Sequence, residues 1–557
     1  MVFSPALQYG FVLWDDDRNL LSNPSYRGLG WAQVRWAFTS AVMGHWIPVT
    51  WLTFSLDHAL WGMDAFGYHL TNILLHAANA ALFYLLALRL LRLGSPASRA
   101  GAIGLGAIVA ALFFAVHPLR VESVAWVTER RDVLSALFYL LTVLAYLRAC
   151  AVHGPPRRRW LLASLGAYAL GLLSKSLIMS LPFVLLVLDV YPLRRARGNW
   201  RRVLLEKLPY LLLAIAAAVI SVLVVIAKVG LTSPSAYPPP ARAAMALYGL
   251  AFYLGKTLAP VLLSPMYELP ARVEPTSLRF LAPALVAVGL TVGLLLARRS
   301  WPAALAVWLV YGLTLAPVSG IVHNGPQLVA DRYSYLSCLG MALLVGAGIA
   351  AAVSSSTIAR PVRAGVVLAG FAWIVGLAVL TFQQLPVWRD ADEIWKRALS
   401  VEPDCAFCYG QMGALAGNRG DLDAAIAHFE RVVALRPGNV HHRRNLGLAL
   451  LKAHRPAEAA AQFEQILAKE PMDVDTRIRL GLALAEQGKL TEASCEFEHA
   501  RRDNPRHAGA LTHLGISLID LGRPAEALPY LESAVGLDPA SGLARAALAR
   551  ARGAPAR

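Results

Sequence analysis

The chain has 557 residues, 57% of them hydrophobic and only 16% charged, and its mean hydropathy of +0.50 excludes an ordinary soluble enzyme in favour of an integral membrane protein. Its net charge of +17 lies wholly upstream of residue 401, because 401–557 carries 19 basic and 19 acidic residues. Charge confined to the apolar part reads as cytoplasmic loop charge, and with no basic stripe interleaved with aromatics a nucleic-acid partner is excluded.

The first 65 residues hold no run able to span a bilayer, and MVFSPALQYGFVLW has neither the basic start nor the cleavage site of a signal peptide. They form a loop rich in interfacial tryptophans (Trp14, Trp31, Trp36, Trp46, Trp51 and Trp61), and within it lies FVLWDDDRNLLSNP, with three consecutive acids, Asp15, Asp16 and Asp17. Taken alone such a run is a solvated loop. Its position just ahead of a long membrane region is what makes it a candidate site.

Apolar stretches follow at about 66–93, 101–117, 133–152, 160–191, 207–228, 242–263, 278–297, 301–321, 334–354 and 364–385. Arginine clusters at 89–99, 157–159, 194–202, 298–299 and 360–363 belong in the cytoplasm by the positive-inside bias. The run 160–191 therefore begins and ends on that side, yet its length allows only ~24 Å per limb against a core of ~30 Å. Its turn, at Ser174, Lys175 and Ser176, is expected slightly inside the outer leaflet. Residues 229–277 must both start and end outside, so 242–263, with Pro238–Pro240 before it and Lys256 within it, is expected to re-enter or lie along the interface. This topology puts the first 65 residues, the loop from His117 to Asp132, Lys175, the loop from Val322 to Tyr333 and the C-terminus on one outer face.

From Arg389 a period of 34 residues appears. Gly413, Gly447, Gly481 and Gly515 each lie 24 residues before Pro437, Pro471, Pro505 and Pro539. Ala425, Ala459, Ala493 and Ala527 take the small position where two helices cross, and Phe429, Phe463, Phe497 and Leu531 the large core position. Four in-register copies resemble the tetratricopeptide repeat, whose superhelix takes a peptide or protein in its groove or serves as a spacer. A half repeat with Trp395, Ala398 and Pro403 precedes them and is expected to cap the array. The expected domains are an outer-face loop, 1–65, a multi-span unit, 66–386, and a repeat domain, 387–557, with full repeats over 406–539. The CxxC of Cys405 and Cys408 stands without a second pair, so it is not a zinc site; a local disulfide and two small helix residues both remain open.

The outer-face residues form a set: DDD at 15–17, His45-Trp46-x-Pro48, His69-x-x-Asn72-x-x-x-His76, HPLRVESVAWVTERRD from His117 to Asp132, Lys175, and ADRYSYL from Ala330 to Leu336. Glu122 and Glu129, seven apart, share one face if their loop is helical; the bland alternative is a salt bridge to Arg130 or Arg131. His69 and His76 would sit ~10 Å apart along one helix, too far to share a metal ion, and read as packing or hydrogen-bonding groups.

On the FVxWDDD start, the HPxxxESVAWVxERRD loop, the DRYSYL segment and the repeats, nearly the whole chain resembles the transmembrane and tetratricopeptide-repeat (TMTC) proteins and their bacterial relatives. The resemblance implies an all-α fold, a polytopic GT-C-like membrane helix bundle followed by an α-solenoid of repeats. It also implies a glycosyltransferase that moves a sugar from a polyprenyl-phosphate carrier to protein Ser or Thr hydroxyls. Its acidic motif falls on Asp15 and Asp16, flanked by Asp17, with one carboxylate as general base. Such assistance is worth ~10²–10⁴ in rate, and neighbouring carboxylates raise each other's pKa. Glu122 or Glu129 would hold the acceptor or orient the base, and Lys175, Arg332 and Arg130 are the candidate cations for the donor phosphate. The implied partners are the bilayer, the lipid-linked sugar and an acceptor protein or peptide, the last met through the repeat groove; beyond the lipid-linked sugar donor the resemblance assigns no cofactor, and a divalent metal is left open. Where the family has a membrane helix ahead of the acidic motif, only fourteen residues precede Asp15, so the expectation is a true start upstream of Met1 or export of the loop without that helix. The competing reading is an inactive membrane-anchored repeat scaffold. A transporter is disfavoured by the uncharged span interiors and the lack of paired broken helices in corresponding halves.

Overall fold

Apolar runs in a bilayer fold as helices because only a helix satisfies its own backbone groups there. In the computed structural model, which describes residues 2–95, 98–228, 237–321 and 325–553, five helices are long and apolar enough to cross: Ala65–Gly94, Val127–Ala151, Trp200–Lys228, Leu278–Arg299 and Arg360–Trp388. Two further pairs qualify together but bend by 55° at a break, Ala100–Ala115 with Pro118–Ala125, and Asp331–Ser337 with Leu339–Ser354. These bent pairs refine the unbroken stretches expected at 101–117 and 334–354. Parts of two expected outer segments, 229–236 and 322–324, lie outside the described residues.

The chain divides into two units, Met1–Glu402 and Pro403–Arg557. In the first, α1 (Trp31–Thr39) and α2 (Pro48–Trp61) precede α3 (Ala65–Gly94), whose N-cap Asp64 accepts from the backbone N–H of Phe66. Then α4 (Ala100–Ala115) stops at His117-Pro118, where proline offers no N–H to continue the ladder, and a short α5 (Val121–Ala125) leads into α6 (Arg130–Ala151). A hairpin follows, with α7 (Pro155–Ser174) and α8 (Leu181–Val190) meeting at Lys175. Its far ends converge on Glu206, which pairs with Arg157 and, at 2.7 Å, with Arg195, while the fully buried Asp189 takes Lys207 at 2.5 Å and the Tyr146 hydroxyl. The unit continues through α9 (Trp200–Lys228), α10 (Pro239–Leu258), α11 (Leu278–Leu296), α12 (Pro302–Leu315), α13 (Ser334–Ser337), α14 (Leu339–Ser354), α15 (Arg360–Gln384) and α16 (Ala391–Val401). Two short strands, β1 (Tyr267–Glu268) and β2 (Gln327–Val329), pair antiparallel with Tyr267 opposite Val329.

Burial separates centre from rim. The apolar window of α6 is 67% buried, against 11% for α9 and α11, whose exposed Leu, Ile and Val face lipid. At the centre α4 and α14 cross backbone to backbone, since a Cβ on Gly106 or on Gly346 would overlap the other's carbonyl oxygen. That crossing brings the two bends, and the polar segments beyond them, together.

The second unit is a solenoid of helix pairs: α17 (Ala406–Arg419) with α18 (Leu422–Leu435), α19 (Val440–Lys452) with α20 (Pro456–Leu467), α21 (Val474–Glu486) with α22 (Leu490–Asp503), α23 (Ala508–Asp520) with α24 (Pro524–Leu537), then α25 (Gly542–Gly553). A Cβ on Gly413, Gly447, Gly481 or Gly515 would lie 2.5–2.8 Å from the ring or side chain of Phe429, Phe463, Phe497 or Leu531, so each glycine seats its repeat's large residue. Ala425, Ala459, Ala493 and Ala527 have no exposed surface. The half repeat expected as a cap behaves differently: α16, with Trp395 and Ala398 fully buried, belongs to the membrane unit. Cys405 and Cys408 form a disulfide at the start of α17, which settles the alternative left open by their spacing.

Candidate active site

The acidic motif is built around one unusual backbone conformation. Asp15 has φ +65°, in the left-handed region that Asp and Asn tolerate better than other side chains carrying a Cβ. The residues on either side are fastened. Asp16 has no exposed surface, and its carboxylate accepts from the Thr128 N–H at 3.0 Å, the Thr128 hydroxyl at 2.5 Å and the Val12 N–H at 2.9 Å. Burial raises its pKa to about 7 against the pull of those donors. Trp14 stacks on Trp126 with ring centroids 4.6 Å apart and receives the Trp126 indole N–H on its carbonyl at 3.2 Å. Asp15, held between these anchors, accepts no hydrogen bond on its carboxylate among the described residues. Burial raises its pKa, while Arg131 and Arg332 pull it back. Asp17 opens a single wide turn to Leu21 and is half-buried.

Facing it is the segment from Pro118 to Asp132, which is two short turns and a short helix broken at Trp126, not the single helix that would align Glu122 with Glu129. The two carboxylates still converge, on Arg332 from beyond the other bend. Glu122 pairs with the Arg332 guanidinium and accepts its backbone N–H at 2.8 Å, and Glu129 lies 3.3 Å from Arg332 Nε. Glu129 also takes Arg131 Nη2 at 2.5 Å and Lys175 Nζ at 3.0 Å, and Asp132 takes Lys175 at 2.6 Å. Three cations, Arg131, Arg332 and Lys175, thus converge on one buried carboxylate, with side chains 9%, 7% and 14% exposed.

Arg130, expected beside Lys175 and Arg332, does not join these three cations. Its side chain is fully buried against Asp57 at 2.5 Å, Asn72 Oδ1 at 2.5 Å and the Tyr68 carbonyl at 2.7 Å, over the Phe54 ring. It holds α2 and α3 to α6, while Arg131 is the arginine of this pair that faces Glu129. In an ERRD quartet either arginine can face inward, and the sequence carries no signal that decides between them. Asp16, the other carboxylate expected as a candidate base, has its oxygens occupied by the Val12 and Thr128 donors. His45 sits on a tight turn through Met43 (φ +50°) and Gly44 (φ +77°), closed by reciprocal bonds between Val42 and His45. Its imidazole is reached by solvent yet ringed by protein, and that crowding, with Arg131 and Lys175 alongside, keeps it neutral with a pKa near 3. His76 bonds the Tyr335 hydroxyl at 2.7 Å and the Ala115 carbonyl at 2.9 Å, and His69 reaches the Gly10 carbonyl at 3.4 Å. Among the described residues no three His, Cys, Asp or Glu side chains are placed to hold a metal ion.

Comparison with known proteins bears on both units. The dolichyl-phosphate-mannose-protein mannosyltransferase family matches residues 45–226, and the tetratricopeptide repeat family matches 411–460, 445–498 and 478–542. The chain is 38% identical to the protein O-mannosyl-transferase TMTC2 of Mus musculus over 113 residues, 20% of this chain and 12% of that one. It is 24% identical to the protein O-mannosyl-transferase Tmtc3 of Drosophila melanogaster over 474 residues, 74% of this chain and 50% of that one. It therefore spans half or less of the length of these relatives. Among solved structures, YrrB, a TPR protein with an unusual peptide-binding site, aligns at 24% identity and a TM-score of 0.27, covering 31% of this chain and 89% of its own. With the acidic loop, the bent-helix polar segments and the repeat array in one polypeptide, the chain is similar in both units to the TMTC proteins, a multi-span membrane unit followed by tetratricopeptide repeats.

Proposed function

We propose that the protein transfers a sugar, mannose by analogy with its relatives, from a polyprenyl-phosphate carrier to Ser or Thr hydroxyls of an acceptor protein at the outer face of the membrane. Asp15 is the general base. The acceptor oxygen attacks the anomeric carbon, its proton passes to Asp15, and the bond from that carbon to the phosphate oxygen breaks to release the polyprenyl phosphate. Arg131, Arg332 and Lys175 receive the phosphate: Glu129 is their shared counter-ion at rest, with Glu122 on Arg332 and Asp132 on Lys175, and an arriving phosphate exchanges with Glu129. Glu122 holds Arg332 in place. His45, neutral, serves as a hydrogen-bonding wall. The observation that carries this reading is the contrast within the acidic pair, Asp16 saturated by three donors and Asp15 held in a left-handed turn with its carboxylate unbonded among cations.

The outer location is supported by the cytoplasmic arginine clusters and by the Cys405–Cys408 disulfide, a bond that persists on the oxidising side of a membrane. The test supplies radiolabelled polyprenyl-phosphate mannose to membranes bearing the protein and follows label into protein. Asp15→Asn keeps size but removes the proton acceptor, and transfer should fall by ~10² or more with donor affinity nearly unchanged. Wild-type rates in Asp15→Asn would remove the base and leave the scaffold reading in its place.

A further inference from the structure

The helix that follows the last span, α16, reaches both halves of the site. On one side Trp395, with no exposed surface, lies 4.9 Å from Trp14 between ring centroids, and Trp388 stacks on Trp14 at 6.1 Å and on Trp126 at 5.2 Å. Trp14 is the residue before left-handed Asp15, so the four-tryptophan block fixes the chain where that conformation begins. On the other side Arg397 Nε donates to the Leu263 carbonyl at 2.9 Å, and Glu402, at the end of α16, accepts the Glu268 N–H at 2.9 Å. The segment so held contains β1, which pairs with β2, and β2 runs directly into Asp331 and Arg332. Tyr267 closes the link by donating its hydroxyl to Asp331 at 3.1 Å.

We propose that α16 is a positioning element of the site, setting Asp15 through Trp395 and Trp14, and Arg332 through Arg397, Glu402 and the β1–β2 pair. The proposal rests on the functional reading above for its kinetic consequences but not for its structural ones. A left-handed Asp has many alternatives in an unrestrained loop. What selects the conformation is the combination of Asp16's three bonds on one side and an aromatic block on the other, and half of that block comes from residues 388–395. Buried rings of this size contribute through area and through stacking geometry, so phenylalanine restores part of the packing and alanine none.

The experiment uses the full chain with three variants, Trp395→Ala, Trp395→Phe and Glu402→Ala, read by hydrogen exchange and by transfer kinetics. Trp395→Ala should raise exchange in residues 11–21 about tenfold or more while α6 stays protected. It should also lower kcat by about 10²-fold with donor KM unchanged, as displacement of a base by about 1 Å does. Trp395→Phe should recover part of both losses. Glu402→Ala, which removes the acceptor, should act on the other limb, raising exchange around 263–268 and donor KM several-fold with kcat held. Wild-type exchange at 11–21 in Trp395→Ala overturns the proposal whether or not sugar is transferred, as does a variant that loses thermal stability while its kcat per folded molecule is unchanged. If the wild-type protein transfers no sugar, the functional reading fails and the exchange data alone decide the role of α16.

Discussion

Asp15 and Arg131 make a pair whose titration can be foreseen. Burial raises the Asp15 pKa and the Arg131 guanidinium lowers it, so removing that cation lets the carboxyl rise further. A general base works only when deprotonated. The acid limb of the kcat profile should therefore move to higher pH in Arg131→Gln, and at fixed pH below the limb the variant should lose rate that is regained on raising pH. A pH-rate comparison of wild type and variant checks this; a limb that stays in place or moves down would mean Arg131 does not face Asp15. At this scale the sequence was least informative. Asp15 and Asp16 are adjacent and chemically identical, and their division into an unbonded carboxylate and a fastened one depends on one φ angle and on Thr128, more than a hundred residues away. Arg130 and Arg131 differ in the same way, by which side of the start of α6 each side chain leaves.

At the scale of elements the repeats and the central crossing give opposite lessons. Each repeat glycine meets a ring or branched side chain of its own repeat, and this strict spacing made the solenoid legible from sequence alone. Gly481→Leu forces a side chain into the Phe497 ring, at a cost of ~1–3 kcal/mol, and should open the array to protease after residue 403 while the membrane unit stays intact. Gly106 and Gly346 meet backbone instead, which cannot swing aside, so Gly346→Leu should lie at or beyond the upper end of that range and lower the melting temperature of the detergent-solubilised protein. The bends escaped the sequence reading because only one carries a clear mark: His117-Pro118 announces a break, whereas the chain turns by the same 55° at Cys338 without proline, its nearest glycine being Gly340 in the first turn of α14. Nor did the half-repeat pattern of α16 reveal its packing, since the same amphipathic face serves a neighbouring repeat or a tryptophan block.

For the whole molecule, the orientation argued from the arginine clusters has one decisive test. A reporter fused after Arg557 should be active only outside the cytoplasm; cytoplasmic activity would mean that α10 crosses once and that the solenoid and the acidic loop are on different sides. The crossing of α4 and α14 has a further consequence, for how such a chain changes over time. Neither glycine can be exchanged singly, because each is filled by the other's carbonyl, whereas the lipid-facing Leu, Ile and Val of α9 and α11 trade places at little cost. Drift is thus channelled outward, and distant kin should share two widely separated glycines and a few short polar segments long after the sequence of the spans between them has been rewritten.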